Sequence, residues 1–93
     1  MTETTRSGEG LDARRRKLLF RSWHRGIREM DLILGGFADQ ALHALNEAEL
    51  DRYERLLEIQ DADLLSWITG ETPAPEAHSD LLKKIMAARR AAA

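Results

Sequence analysis

An all-α fold, a small compact bundle of about five helices, is what this sequence of 93 residues predicts. Three observations carry that prediction. Apolar residues recur at spacings of three and four along most of the chain, no stretch alternates with period two over a useful length, and β-branched residues are sparse and scattered. Hydrophobic residues make up 43% and charged residues 32%, a balance that gives each helix one apolar stripe and one solvated face. A chain of this length forms a single domain around one core.

The elements follow in order. Residues 1–11 read as a flexible polar tail, and residues 12–70 as the core of the bundle. Asp12 caps a first helix running to Trp23, with Leu19 and Trp23 on one face and Leu11, Leu18 and Phe20 widening the apolar side. Gly26 falls where that helix should end, as a C′ glycine in the left-handed region. Ile27, Met30, Leu34, Phe37 and Ala41 then mark a second helix, broadened by Ile33 and Leu42. It contains Gly35-Gly36, a pair that costs about 2 kcal/mol against alanine in a helix interior and so predicts a kink or a close-packed neighbour. No GxGxxG or Walker A pattern surrounds the pair to make it a phosphate loop.

Asn46 and Glu49 have the spacing of a capping box, and Leu45 and Leu50 that of a hydrophobic staple, so a third helix starts at Asn46. Leu50, Tyr53 and Leu57 continue its apolar face. A short fourth helix begins at Gln60 or Asp61, carries Leu64, Leu65, Trp67 and Ile68, and ends at Gly70. Within it, Asp63 is expected as a helix-start residue and Trp67 as a packing residue. Pro73 and Pro75 make 71–78 a linker, after which Ser79 is expected to cap a last helix over 79–93 with a fraying, alanine-rich end.

The net charge of -2 conceals a segregation. Residues 1–28 hold eight Lys/Arg against three Asp/Glu, residues 29–80 hold two against thirteen, and residues 81–93 hold four against none. Such blocks either attract one another within the fold or present faces of opposite sign to a partner.

Several function classes are excluded or weakened by residue type. There are no cysteines, which removes disulfides, thiolate metal sites and a cysteine nucleophile. His24, His43 and His78 lie in different segments with no second ligand at helical spacing, so no metal site is expected. Carboxylate pairs such as Glu29/Asp31 and Asp61/Asp63 are two residues apart and diverge on a helix, so no catalytic residue is assigned. Without a long apolar run or an apolar leader, and with Glu3 and Glu9 near the start, the expected location is the bacterial cytoplasm. Nucleic-acid binding is the alternative function: Arg14 to Lys17, Arg21, Arg25 and Arg28 form a basic strip interleaved with Phe20 and Trp23. Against it stand the acidic remainder, the overall pI near 5.9 and the expectation that the aromatics serve the core.

The segment Arg25-Gly26-Ile27-Arg28-Glu29-Met30-Asp31 is better read as a polar contact site. A bare glycine admits a partner's backbone, Arg25 and Arg28 offer forked donors, and Glu29 and Asp31 offer acceptors. With Arg25 and Glu29 four apart, a helix would set both on one face.

At these residues the chain resembles the SdhE-type assembly factors of succinate dehydrogenase, the flavinylation factors. Their hallmark RGxxE motif is present as Arg25-Gly26-Ile27-Arg28-Glu29, followed by Met30-Asp31. The likeness extends over about residues 14–70, through Phe37, Glu54-Arg55-Leu56-Leu57-Glu58 and the D-x-D-L-x-x-W segment from Asp61 to Trp67. The resemblance implies a helical factor, not itself an enzyme, that binds the flavoprotein subunit of succinate dehydrogenase, and in some bacteria that of fumarate reductase. It promotes covalent attachment of FAD to a histidine of that subunit, with FAD residing in the partner and no cofactor held stably by this chain. Gly26 and Glu29 would carry the contact, supported by Arg25, Arg28 and Asp31.

Overall fold

The computed structural model describes residues 10–92. Most of the expected N-terminal tail therefore lies outside the described residues. Five α-helices follow one another: α1 (Ala13–Trp23), α2 (Arg28–Ala41), α3 (Glu47–Leu57), α4 (Asp61–Thr69) and α5 (Glu76–Ala92), with a single 3-10 turn at Leu42–Ala44. No strand occurs among the described residues.

Asp12 caps α1, its Oδ1 accepting from the Arg15 N–H at 2.8 Å. That bond holds its carboxyl below the ordinary carboxylate value. Leu18 and Leu19 are buried, but Phe20 is 59% exposed and stacks on His24 with ring centroids 3.9 Å apart. The expected core role of Phe20 is thus corrected: one residue beyond Leu19 is a 100° turn away from the stripe that Leu18, Leu19 and Ser22 form.

The junction after α1 differs from expectation in two ways. Positive φ occurs among the described residues only at Gly10 and Gly70, so Gly26 is not a left-handed cap. Instead His24 ends the helix, donating its N–H to the Arg21 carbonyl at 3.3 Å. Because α2 starts only at Arg28, Arg25 lies in the loop and does not share a helix face with Glu29. Ile27 precedes the helix and is 41% exposed, so Met30 opens the buried stripe.

Of the two outcomes expected for Gly35-Gly36, close packing is found at Gly35, where an added Cβ would sit 2.3 Å from the Trp23 indole. The helices α1 and α2 meet through this glycine. Behind them, Tyr53 of α3 is fully buried, its hydroxyl donating to Ser22 Oγ at 2.6 Å and lying 3.3 Å from the Leu34 carbonyl. Ser22 donates in turn to the Leu18 carbonyl at 2.7 Å. Burial pushes the Tyr53 hydroxyl well above the ordinary tyrosine pKa, so it stays a neutral link among three helices.

The capping box forms as expected: Asn46 accepts from the Glu49 N–H at 2.9 Å and Glu49 from the Asn46 N–H at 3.0 Å. Leu45 and Leu50 of the staple are both buried. Gly70 ends α4 in the left-handed region at φ 84°. Asp63 stands exposed in the first turn of α4 and Trp67 packs half-buried against the core, as expected. The last helix begins earlier than expected, at Glu76 rather than beyond a Ser79 cap. Pro75 lacks an N–H and has its φ preset, which suits a helix entry, and its carbonyl accepts from the His78 N–H at 3.0 Å. The helix α5 delivers Leu81, Leu82 and Ile85 to the shared core and packs on α2 and α3.

The segregated charges meet inside the fold. Arg14 reaches Glu47 at 2.9 Å, Asp51 at 2.6 Å and Glu54 at 2.9 Å, and Arg21 reaches Glu58 at 3.3 Å, joining α1 to α3. The bonds Arg14 donates to Asp51 and Glu54 raise its already high pKa further. Lys84 pins α5 to Glu49 at 2.7 Å.

Two stability experiments follow from this packing. Gly35→Ala should destabilise the fold by about 1–3 kcal/mol, because the methyl overlaps Trp23, whereas Gly36→Ala should stabilise it by up to about 1 kcal/mol through helix propensity. Urea titration of both variants checks the opposite signs. The hydrogen bond from Lys84, then that from the Asn46 N–H, lowers the Glu49 pKa. Its contribution is therefore present above the unfolded carboxylate pKa and is lost as pH falls through the lowered folded value. The Tm of Glu49→Gln should lie below wild type at neutral pH, with the gap narrowing as the pH falls below the ordinary glutamate range; a constant gap would refute the linkage.

Candidate functional site

The Arg25 to Asp31 segment is divided by the structure into residues that build it and residues that face outward. Arg25 turns inward, its side chain only 11% exposed. Its Nε donates to Asp61 Oδ1 at 2.8 Å, Nη2 to the Ile59 carbonyl at 2.6 Å, and Nη1 to the Leu57 carbonyl. One guanidinium thus satisfies carbonyls at the C-terminal end of α3 and a carboxylate at the N-terminal end of α4, where each charge also complements a helix dipole. Asp31, on the first turn of α2, reaches back to accept from the Arg25 backbone N–H at 2.6 Å. The loop between α1 and α2 is held at both ends.

Gly26, Arg28 and Glu29 remain on the surface. A Cβ at Gly26 would meet only Asp61 Oδ2, at an ordinary 3.4 Å, and its φ is not positive. Neither backbone conformation nor internal crowding requires glycine there. Arg28 has no carboxylate within ion-pair distance among the described residues. Glu29 is 55% exposed, with Oε2 3.5 Å from Arg89 of α5.

Neighbours that the sequence reading did not assign complete the face. The large exposed apolar residues among those described are Phe20, Ile27 and Leu32; Ile27 belongs to the segment, and the other two share depressions with its residues. Phe20 and Gly26 line one depression of about 350 Å³, together with Arg21, His24, Arg25 and Asp61. Leu32 and Glu29 line a groove of about 430 Å³ between α2 and α5. A signal for Phe20 and Leu32 was present: each is a large apolar residue lying off its helix's buried stripe. Arg89 gave none, being 60 residues from Glu29.

Among the described residues, no three His, Asp or Glu side chains gather to hold a metal ion. Nor is any helix long and apolar enough to cross a membrane. The basic strip of α1 is largely engaged internally: Arg14, Arg21 and Arg25 meet carboxylates of α3 and α4, and Arg15 meets Asp12 and the carbonyls of Leu42 and Leu45.

The chain is thus a helical bundle whose braced loop shows, among the described residues, a bare glycine, a cation with no carboxylate partner and a carboxylate beside exposed apolar side chains. Residues 16–89 match the family described as the flavinator of succinate dehydrogenase, and the chain belongs to that family. It is 40% identical over 85 residues to "Succinate dehydrogenase assembly factor 2, mitochondrial" of Candida glabrata, covering 86% of this chain and 56% of that protein. It is 41% identical over 68 residues to "FAD assembly factor SdhE" of Acetobacter pasteurianus, covering 73% and 62%. The protein of Danio rerio named as the Candida one is 38% identical over 85 residues, covering 85% and 54%. The chain spans little more than half the length of these relatives.

The division of roles is measurable. Arg25→Ala should cost about 2–3 kcal/mol in chemical denaturation, since it strands Asp61 and two carbonyls, while Arg28→Ala and Glu29→Ala should each stay within about 0.5 kcal/mol of wild type. Equal losses for all three would contradict the division.

Proposed function

We propose that this chain binds the flavoprotein subunit of succinate dehydrogenase and promotes covalent attachment of FAD to it, without being an enzyme itself. The observation that carries the reading is the division of the motif. Arg25 and Asp31 brace the loop from within, so that Gly26, Arg28 and Glu29 are offered outward in a fixed geometry. Family membership and the names of the relatives supply the client.

In this reading FAD stays in the flavoprotein, and so does the residue that becomes attached to it. This chain contributes orientation: it holds the client so that the reacting groups meet, an effect of proximity rather than of donated acid, base or nucleophile. The flavoprotein of fumarate reductase is a second client of the same chemistry, and the bacterial cytoplasm is the proposed place of action. A nucleic-acid role for α1 has less support, because Arg14, Arg15, Arg21 and Arg25 of its basic strip meet carboxylates within the fold.

Gly26→Arg tests the docking surface. An exposed position with one neighbour at 3.4 Å accepts a side chain, so the circular dichroism spectrum should remain that of wild type while co-purification with the flavoprotein is lost. Glu29→Ala should lower the covalent flavin fluorescence of the flavoprotein band in a denaturing gel. Retained co-purification of Gly26→Arg, or undiminished fluorescence with Glu29→Ala, would count against the proposal. Removing the protein from its host should leave the flavoprotein without covalent flavin.

A further inference from the structure

Gly35 and Gly36 are adjacent in sequence and opposite in circumstance. Gly35 is required by the indole of Trp23, whereas a Cβ at Gly36 would meet nothing within 4 Å. A glycine in a helix interior costs about 1 kcal/mol against alanine, and nothing inside the fold accounts for that cost at Gly36. The residue lies on the wall of the groove between α2 and α5, with Ile33, Phe37 and Ala88. Leu32 stands at the rim, 53% exposed, and Glu29 and Arg89 face each other across one end.

We propose that this groove receives an apolar side chain of the same flavoprotein that docks on the Arg25 to Asp31 segment. The inference rests on the function proposed above and extends its contact surface along α2. Continuity is the first argument: Glu29 belongs to both the motif and the groove, and Arg28, Glu29, Leu32 and Gly36 follow at three- and four-residue spacing along one face of α2. A partner seated on Arg28 and Glu29 covers Leu32 as well. Charge is the second argument: the opposed Glu29 and Arg89 leave the groove's end electrically balanced, so it selects an uncharged insert. At about 430 Å³ the groove has room for a large side chain, and the bare Gly36 lets it lie close to the α2 backbone.

The test measures binding of the full chain to purified succinate dehydrogenase flavoprotein by calorimetry. Gly36→Leu fills the groove and Leu32→Asp charges its rim; each should weaken binding about tenfold or more, with Gly36→Ala weakening it less because a methyl fills less space. Near-wild-type binding by both Gly36→Leu and Leu32→Asp would overturn the proposal. If Gly36→Leu fails to fold, Leu32→Asp decides, since its position is exposed. Should Gly26→Arg abolish binding while both groove variants bind normally, the function stands and the groove is not part of it. Absence of binding by the wild-type chain would remove the function and the groove proposal together. A wild-type dimer that Leu32→Asp converts to monomer, with flavoprotein binding unchanged, would assign the groove to a second copy and also overturn the proposal.

Discussion

The contact on which the presented surface depends is the buried reach of Arg25 from one loop to another. Its guanidinium ends α3 and touches the start of α4, while its backbone N–H, donated to Asp31, fixes the entry to α2. A lysine would supply the charge and three donors from one compact nitrogen, but not donors on three separate nitrogens, so the planar fork is the property used. Gly26 and Arg28 inherit their positions from this contact, though neither makes it. A motif that looks like a row of equivalent polar residues is a brace with a display attached.

A second constraint is electrostatic. The basic start and acidic middle of the chain fold onto each other, with Arg14 alone meeting three carboxylates of α3. These pairs are substantially exposed, so each adds little to stability by itself. Their larger effect is on register: the placement of α1 on α3 that brings these charges together is also the one in which Ser22 meets Tyr53. Arg28, by contrast, meets no carboxylate among the described residues and stands beside Gly26 and Glu29.

Much of this architecture was legible in the sequence because its causes are local. The Asp12 cap, the capping box at Asn46 and Glu49, the Leu45/Leu50 staple and the left-handed Gly70 each depend on residues within a turn or so of one another. Gly26 misled because a glycine near a helix end is so often a left-handed cap, while here a side-chain brace closes the loop. Likewise Ser79 competed with a proline that starts a helix equally well. Arg25 was placed in the candidate site, but its inward direction was not readable, because Asp61 and the Leu57 and Ile59 carbonyls lie more than thirty residues away. Exposure of Phe20 was the opposite case: the periodicity already set it off the stripe, yet hydrophobicity alone suggested burial.

The indole of Trp23 rests on Gly35 of the helix that begins with Arg28 and Glu29, and its Nε1 points at Asp39 from 3.4 Å. Trp67, the second tryptophan, lies stacked on His78 with centroids 5.8 Å apart. The chain therefore carries two emitters in unlike surroundings. A change in packing between α4 and α5 alters the surroundings of Trp67, while Trp23 registers rearrangement behind the displayed loop. Without any attached dye, intrinsic fluorescence separates events at that loop from events where α4 meets α5.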